Sequence, residues 1–132
     1  MTIRRVTSPA APEPPPERWS NCLFVDGIAY VSGMVARGEG VNLAAMDEYE
    51  QAKSIFTKIK GLLEAAGGSM ADVVKITVYV TNIKNNDKVW AARREFFTGN
   101  FPSSTLVEVR ALASPEILVE IEAIAHIGKG AR

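Results

Sequence analysis

The chain has 132 residues, of which 47% are hydrophobic, so its length favours one domain with one core. Fifteen Lys and Arg balance fifteen Asp and Glu, which excludes the basic surplus used to bind phosphates or anionic membranes. We therefore expect no nucleic-acid partner and no membrane partner. Cys22 is the only cysteine, so no intramolecular disulfide can form, and no Cys/His cluster has the spacing of a metal site.

The first part of the chain is rich in proline, with five of the seven prolines between Pro9 and Pro16. Because proline lacks an amide donor, this region argues against a regular element until about Arg18. It also stands where a signal peptide would need an apolar core, and no apolar run approaches the ~20 residues of a membrane span. We predict an arm at 1–17, a single domain at 18–128 and a tail at 129–132, in a soluble, unprocessed, cytoplasmic protein.

A hairpin and a long helix open the predicted domain. Leu23–Val25 and Ile28–Ser32 are β-rich runs around Asp26-Gly27, a dipeptide that tolerates the positive φ of a tight turn. Gly33 to Gly40 holds three glycines and is predicted to be a loop, after which Asn42 is a candidate N-cap. The helix that follows should end at Gly67-Gly68. Its apolar stripe comprises Ala45, Tyr49, Ala52, Phe56, Ile59, Leu63 and Ala66.

The second half alternates strands with one further helix. Val73–Val80 is predicted as a central strand because it is rich in β-branched residues and alternates in character. Asn85 or Asn86 should cap a second helix that stops at Gly99. The predicted inner face of that helix comprises Val89, Trp90, Arg93, Phe96 and Phe97. The last strands are predicted at Thr105–Val109 and Leu118–Ala125, separated by a turn near Ser114-Pro115.

The resulting order, β-β-α-β-α-β-β, predicts an α+β fold with two helices on one face of a mixed sheet. The last strand directs Leu118, Glu120, Glu122 and Ile124 to one face and Val119, Ile121, Ala123 and Ala125 to the other. Neither face is fully polar. Apolar residues on the face without helices need a cover, which for so small a chain predicts self-association.

Several motifs resemble the RidA/YjgF family in order and spacing. They are Val31-Ser32-Gly33, Leu63 to Gly68, Asp72 to Val80, Phe96-Phe97, Phe101 to Ala125 and, within it, Val119 to Ala125. The resemblance covers nearly the whole chain after the arm. It implies a homotrimer similar in fold to chorismate mutase, with helices outside, sheets forming an inner barrel, and a pocket at each cleft between subunits.

The resemblance also implies an activity. Family members hydrolyse 2-imino or enamine acids, such as 2-aminoacrylate, to a keto acid and ammonia without a cofactor. An arginine holds the substrate carboxylate, and a glutamate of the last strand positions the attacking water. Glu120 matches this glutamate. Trp19 and Tyr30 fall near positions that line the pocket, and Gly33 is expected to open a loop at its mouth.

The chain departs from the family at the arginine. The usual Phe-Pro-Ala-Arg-Ser is here Phe-Pro-Ser-Ser-Thr, so Ser104 occupies the place of the arginine. A neutral hydroxyl offers one donor where guanidinium offers a charged fork. Arg110 lies about 20 Å away along an extended strand. The resemblance places Arg18 and Arg37 nearer, and either could hold the ligand, unless both are ordinary surface residues.

Other reactive residues are weighed against structural roles. Glu122 shares a face with Glu120, about 6.6 Å along the strand, so the two could pair with one pKa raised. A structural or salt-bridged role is favoured for Glu122. A nucleophile among Ser103, Ser104 and Thr105 with His126 as base is disfavoured, because His126 has no recognisable orienting partner.

The lone cysteine is treated in the same way. Cys22 directly precedes a strand, with no nearby cation but Arg18. It is expected to be packed rather than reactive.

The leading hypothesis is a trimeric RidA-like protein that binds a small imine, enamine or related metabolite between subunits and hydrolyses it with water held by Glu120. The alternative is a non-catalytic trimer that binds or senses a metabolite in the same cleft. A ribonuclease activity, which has been attached to this family, is disfavoured by the zero net charge and the lack of a histidine pair.

Overall fold

A computed structural model describes residues 2–130 and shows one six-stranded mixed sheet with two helices. The strands are β1 (Arg4–Val6), β2 (Cys22–Val25), β3 (Ile28–Met34), β4 (Val73–Val80), β5 (Ser103–Glu108) and β6 (Val119–His126), and the helices are α1 (Glu48–Ala65) and α2 (Asn86–Arg93). The strand order is β1-β2-β3-β6-β4-β5, antiparallel except for the parallel pair β4 and β5. Helix α1 packs on β3, β6 and α2, which confirms the predicted α+β class.

The hairpin of β2 and β3 forms as predicted. Asp26 and Gly27 both adopt positive φ, at 53° and 79°, and join Val25 to its partner Ile28. The prediction that no regular element precedes Arg18 was wrong, because β1 pairs with β2. Residues 4–6 precede the first proline and keep their amide donors, so they can extend the sheet.

Helix α1 begins later than predicted. Asp47 is its N-cap, and its side chain accepts a hydrogen bond from the Glu50 amide in a capping box, whereas Asn42 precedes only a short 3-10 turn. The apolar stripe is buried as expected along Ala52, Phe56, Ile59, Leu63 and Ala66. The helix stops as predicted, and Gly67 adopts φ +93°. None of the helices within 2–130 has the length and apolarity needed to cross a membrane.

Helix α2 is shorter than predicted and ends at Arg93. Phe96 and Phe97 therefore belong to the following turn, where both rings contact Phe56 of α1. The prediction that Trp90 lies on the inner face of α2 was wrong, because this residue is 40% exposed.

The predicted loop from Gly33 also needs correction, since β3 continues through Met34 and includes Gly33. At the other end of the chain, the predicted tail is described only at Lys129 and Gly130, and its last two residues lie outside the described part.

The alternation predicted for β6 is confirmed. Val119, Ile121, Ala123 and Ala125 are buried under the helices, and the residues between them are half-buried on the other face. The buried Gln51 of α1 fixes the start of this strand. Its Nε2 donates to the Glu116 and Met46 carbonyls at 2.9 and 3.1 Å, and its Oε1 accepts from the Leu118 amide at 2.9 Å.

We predict that Gln51→Leu lowers the free energy of unfolding by about 2–4 kcal/mol, because it leaves buried backbone groups without partners. Urea unfolding at one fixed protein concentration measures the effect. The control is Lys60→Gln, at an exposed position of the same helix, for which a change within about 0.5 kcal/mol is expected. Equal stability of the two variants would contradict the role given to Gln51.

Candidate functional site

Glu120 lies directly against Gly33 of the neighbouring strand. A Cβ built on Gly33 would overlap Glu120 Oε2 and lie 2.9 Å from Glu120 Cδ. The pairing of β3 with β6 shifts register between Val31 and Met34, a bulge that contains Gly33. A residue with a side chain at position 33 would therefore displace the carboxylate. The absence of a side chain at Gly33 is what allows Glu120 to lie against β3.

The position of Glu120 changes its acidity. Burial, followed by the nearby charge of Glu122, raises the pKa of Glu120 above its ordinary value. The two carboxylates lie on one face as predicted. Glu122 forms no ion pair within 2–130, so the anticipated salt bridge is absent. Burial, followed by the nearby charge of Glu122, raises the pKa of Tyr79, which lies on the neighbouring strand β4 and pairs with Glu120.

Two hollows flank Gly33 and Trp19. A cavity of about 160 Å³ between the proline-rich arm and β3 is lined by Trp19, Gly33, Arg37 and Lys58. A shallower hollow of about 310 Å³ is lined by Trp19 and Tyr30. Trp19 thus borders both. The structure therefore brings three of the predicted residues, Trp19, Gly33 and Arg37, to one cavity, and Gly33 also contacts Glu120. Tyr30 pairs with Ile124, four residues from Glu120 along β6, and Glu120 itself lines neither hollow.

The wall of the smaller cavity is held in place by Asn21, which is only 3% exposed. Its Nδ2 donates to the carbonyls of Ala11 and Pro12 at 3.3 and 3.0 Å, and its Oδ1 accepts from Trp19 Nε1 at 3.2 Å. The arm also packs closely on α1, where a Cβ on Gly61 would come within 2.5 Å of Ala10 Cβ. The proline-rich segment is therefore part of the site's frame.

Lys58 is a cation of this cavity that sequence reasoning missed. Its Nζ donates to the carbonyls of Val35 and Arg37 at 2.6 and 2.9 Å, and burial followed by Arg37 lowers its pKa. Its position on α1 gave no signal, because it lies outside the apolar stripe. Arg37 is exposed at the cavity, whereas Arg18 is exposed in the segment before β2 and lines neither hollow.

Ser104 lies elsewhere. It sits on the edge strand β5 in register with the buried Ile76, so it faces the side of the sheet that carries the helices. Glu120 pairs with Tyr79, which pairs with Val107, on the other side. Two strand spacings of ~4.8 Å and three residues at ~3.3 Å separate Ser104 from Glu120. One protomer does not bring the two together.

A guanidinium nevertheless contacts Ser104. Nη1 of Arg93, the last residue of α2, donates to Ser104 Oγ at 3.2 Å. Burial, followed by the adjacent charge of Arg94, lowers the pKa of Arg93. Sequence reasoning placed Arg93 on the inner face of its helix but assigned it no function. The sequence feature that could have indicated a function for Arg93 is its position as a charged residue on the predicted inner face of a helix, shortly before β5.

The remaining candidates have local partners. Thr105 Oγ1 accepts from Lys75 Nζ at 2.7 Å, and no hydrogen bond within 2–130 joins His126 to Ser103, Ser104 or Thr105. Cys22 is fully buried, as expected for a packed thiol. Burial raises its pKa to about 11, against a smaller lowering by Arg4, so the thiolate is disfavoured at neutral pH.

The sequence matches the family model described as Endoribonuclease L-PSP over residues 9–127. Similar solved structures include a protein of unknown function from Pseudomonas aeruginosa, 43% identical over 98% of this chain and 95% of that one, with a TM-score of 0.90. A conserved Rid-family protein of unknown function from Yersinia pestis is 30% identical over 96% and 100%, with a TM-score of 0.85. RidA from an Antarctic Psychrobacter is 28% identical over 94% and 99%, with a TM-score of 0.80.

These matches span almost the whole chain and agree with the six-stranded sheet and its two helices. The chain therefore belongs to the endoribonuclease L-PSP family, the RidA/YjgF family that its motifs resemble.

The raised pKa of Glu120 predicts a pH-dependent stability. Because the folded state disfavours the charged form, the contribution of Glu120 to stability should fall as pH rises from the ordinary glutamate pKa through that of folded Glu120. Glu120→Gln removes this charge, so its unfolding midpoint at pH 7 should exceed that of the wild type, and the difference should vanish at low pH. Thermal unfolding from pH 3 to 8 measures it, with the exposed Glu64→Gln as control. A pH-independent difference would contradict the assignment.

Proposed function

We propose that the protein assembles as a homotrimer and hydrolyses a small imine or enamine acid in clefts between its copies, with Glu120 positioning the water. The observation that carries the proposal is the Glu120 carboxyl group, which has a raised pKa and lies against Gly33, a residue that lines the cavity together with Trp19 and Arg37. An aromatic border suits a small planar ligand, and an acid whose pKa moves toward neutrality suits proton transfer.

The chemistry needs only water and an acid-base group. An enamine acid such as 2-aminoacrylate first takes a proton on carbon to give its imine tautomer. Glu120 would accept a proton from water as the water oxygen bonds to the imine carbon, and the imine nitrogen would be protonated. Glu120 would then return its proton to the amino nitrogen, and the hydroxyl group would lose its proton to water as the carbonyl forms, so that the carbon–nitrogen bond breaks and releases ammonia and the keto acid. No electron transfer is involved.

Assembly is supported by surfaces that a lone protomer leaves uncovered. Leu23, Tyr30 and Val107 are exposed on the face of the sheet without helices. Strand β5 forms one edge, where only Leu106 among its six residues is even half-buried. An exposed apolar face and an open edge are features that proteins normally cover. In a closed ring, each interface joins two different surfaces, so one cleft can combine Glu120 of one copy with Ser104 of the next.

We predict that Glu120→Gln reduces ammonia release from 2-aminoacrylate, generated in situ, by about 100-fold or more, because the group that activates water is lost. The control is Glu64→Gln, at an exposed position of α1, which should retain the activity. Coupled detection of ammonia measures both, at equal oligomer concentration.

Wild-type protein that releases no ammonia from a panel of imine acids, yet binds their keto-acid products, would support the non-catalytic binding trimer instead. Ribonuclease activity is disfavoured by the zero net charge and by the lack of a histidine pair, since the sequence has one histidine, His126, which is exposed. RNA cleavage that persists in Glu120→Gln after rigorous nuclease removal would reverse this conclusion.

The assembly has its own test. Sedimentation equilibrium at micromolar concentration should give three times the 14.3 kDa mass of one chain. Val107→Glu places a charge on the uncovered face and should shift the mass toward that of one chain. A wild-type mass equal to one chain would contradict the proposed clefts.

A further inference from the structure

We infer that Arg93 supplies, from α2, the guanidinium that binds the ligand's carboxylate, in place of the arginine missing at position 104. The inference rests on the proposed function, since it names the ligand group that the same cleft would hold. Its consequence is that the substrate remains a carboxylic acid. Ser104 then becomes a positioning residue that orients Arg93.

The contact between Arg93 and Ser104 brings a positive charge to position 104, where the sequence has no arginine. Arg93 Nη1 lies 3.2 Å from Ser104 Oγ, so the guanidinium group reaches the start of the edge strand β5 from the end of α2. Ser104 is exposed and Arg93 is half-buried, which puts this pair at the surface that a neighbouring copy would cover. Arg18 instead directly precedes Trp19 in the chain, and Arg37 lines the cavity that Trp19 borders.

The charge of Arg93 is uncompensated. Within 2–130 its side chain makes a single hydrogen bond, to Ser104, and no ion pair with a carboxylate. By contrast, Arg5 is paired with Glu13 at 2.6 Å. The Nε atom of Arg93 is buried and has no hydrogen-bond partner. A half-buried guanidinium without a counter-ion is costly in the free protein, and an anion bound to its Nη groups would offset the cost of the unpaired charge.

The chemistry of guanidinium selects the ligand. Of its five N–H donors, one is used by Ser104, so donors remain for a planar anion with two oxygens. Carboxylate matches this fork, and each charged hydrogen bond is stronger than a neutral one. Trp90 lies three residues earlier on α2, on the adjoining face, and is exposed. Its ring provides an apolar wall for the rest of a small ligand.

The test is binding of pyruvate, the keto acid that 2-aminoacrylate would yield, measured by calorimetry on the intact oligomer. Arg93→Gln should raise the dissociation constant about tenfold or more, because a charged hydrogen bond is lost. Arg93→Lys keeps the charge without the fork and should give an intermediate loss. Arg94→Gln, which removes an adjacent exposed arginine, should bind like wild type.

A double variant, Arg93→Gln with Ser104→Arg, completes the test. It should regain most of the affinity, since both positions serve one ligand. Wild-type affinity in Arg93→Gln and Arg93→Lys, equal losses in Arg94→Gln, or no rescue in the folded double variant would overturn the inference. So would a wild-type protein that does not bind pyruvate. Arg93-dependent binding without any turnover would sustain this inference while contradicting the proposed hydrolysis.

Discussion

The alternation of side chains along β6 is the constraint on which the rest of the site depends. Every second residue of this central strand is buried beneath α1, which leaves the residues between them on the uncovered face. Glu120 and Glu122 are therefore held together on that face. The bulge at Gly33 then lets Glu120 lie against β3 rather than extend into water, and burial there raises its pKa. A register shift of one residue would bury both acids in the core.

The same alternation separates the acid from the cation. Arg93 and Ser104 lie on the side of the sheet that carries the helices, at the edge strand β5, three strand positions from the interior strand β3 that holds Gly33. Each protomer therefore holds two half-sites that face different directions. Such an arrangement favours an assembly in which the acidic half of one copy meets the cationic half of the next. Catalysis would then depend on assembly, because an isolated copy lacks the carboxylate anchor near its acid.

Local signals allowed much of the fold to be predicted. Asp26-Gly27 fixes its own turn through positive φ, and the stripe of α1 fixes its buried face. The end of α2 was predicted wrongly and β1 was not predicted, because packing on other elements decides both. Phe96 turns toward Phe56, and Arg4 pairs with Phe24. The contacts of Arg93 and Lys58 were missed for the same reason. Each depends on the approach of a helix to a distant segment, which no local pattern encodes.

The shared cleft is tested most directly by mixing two defective variants. Glu120→Gln lacks the acid and Arg93→Gln lacks the cation, so at substrate concentrations far below saturation each alone should release ammonia at about one tenth of the wild-type rate or less. After denaturation and refolding together in equal amounts, about one quarter of the clefts should combine an intact acid with an intact cation, because each interface draws its two halves from different copies. The account predicts recovery of about that fraction of wild-type activity. Activity no greater than that of the separate variants, in oligomers shown to be mixed, would contradict it.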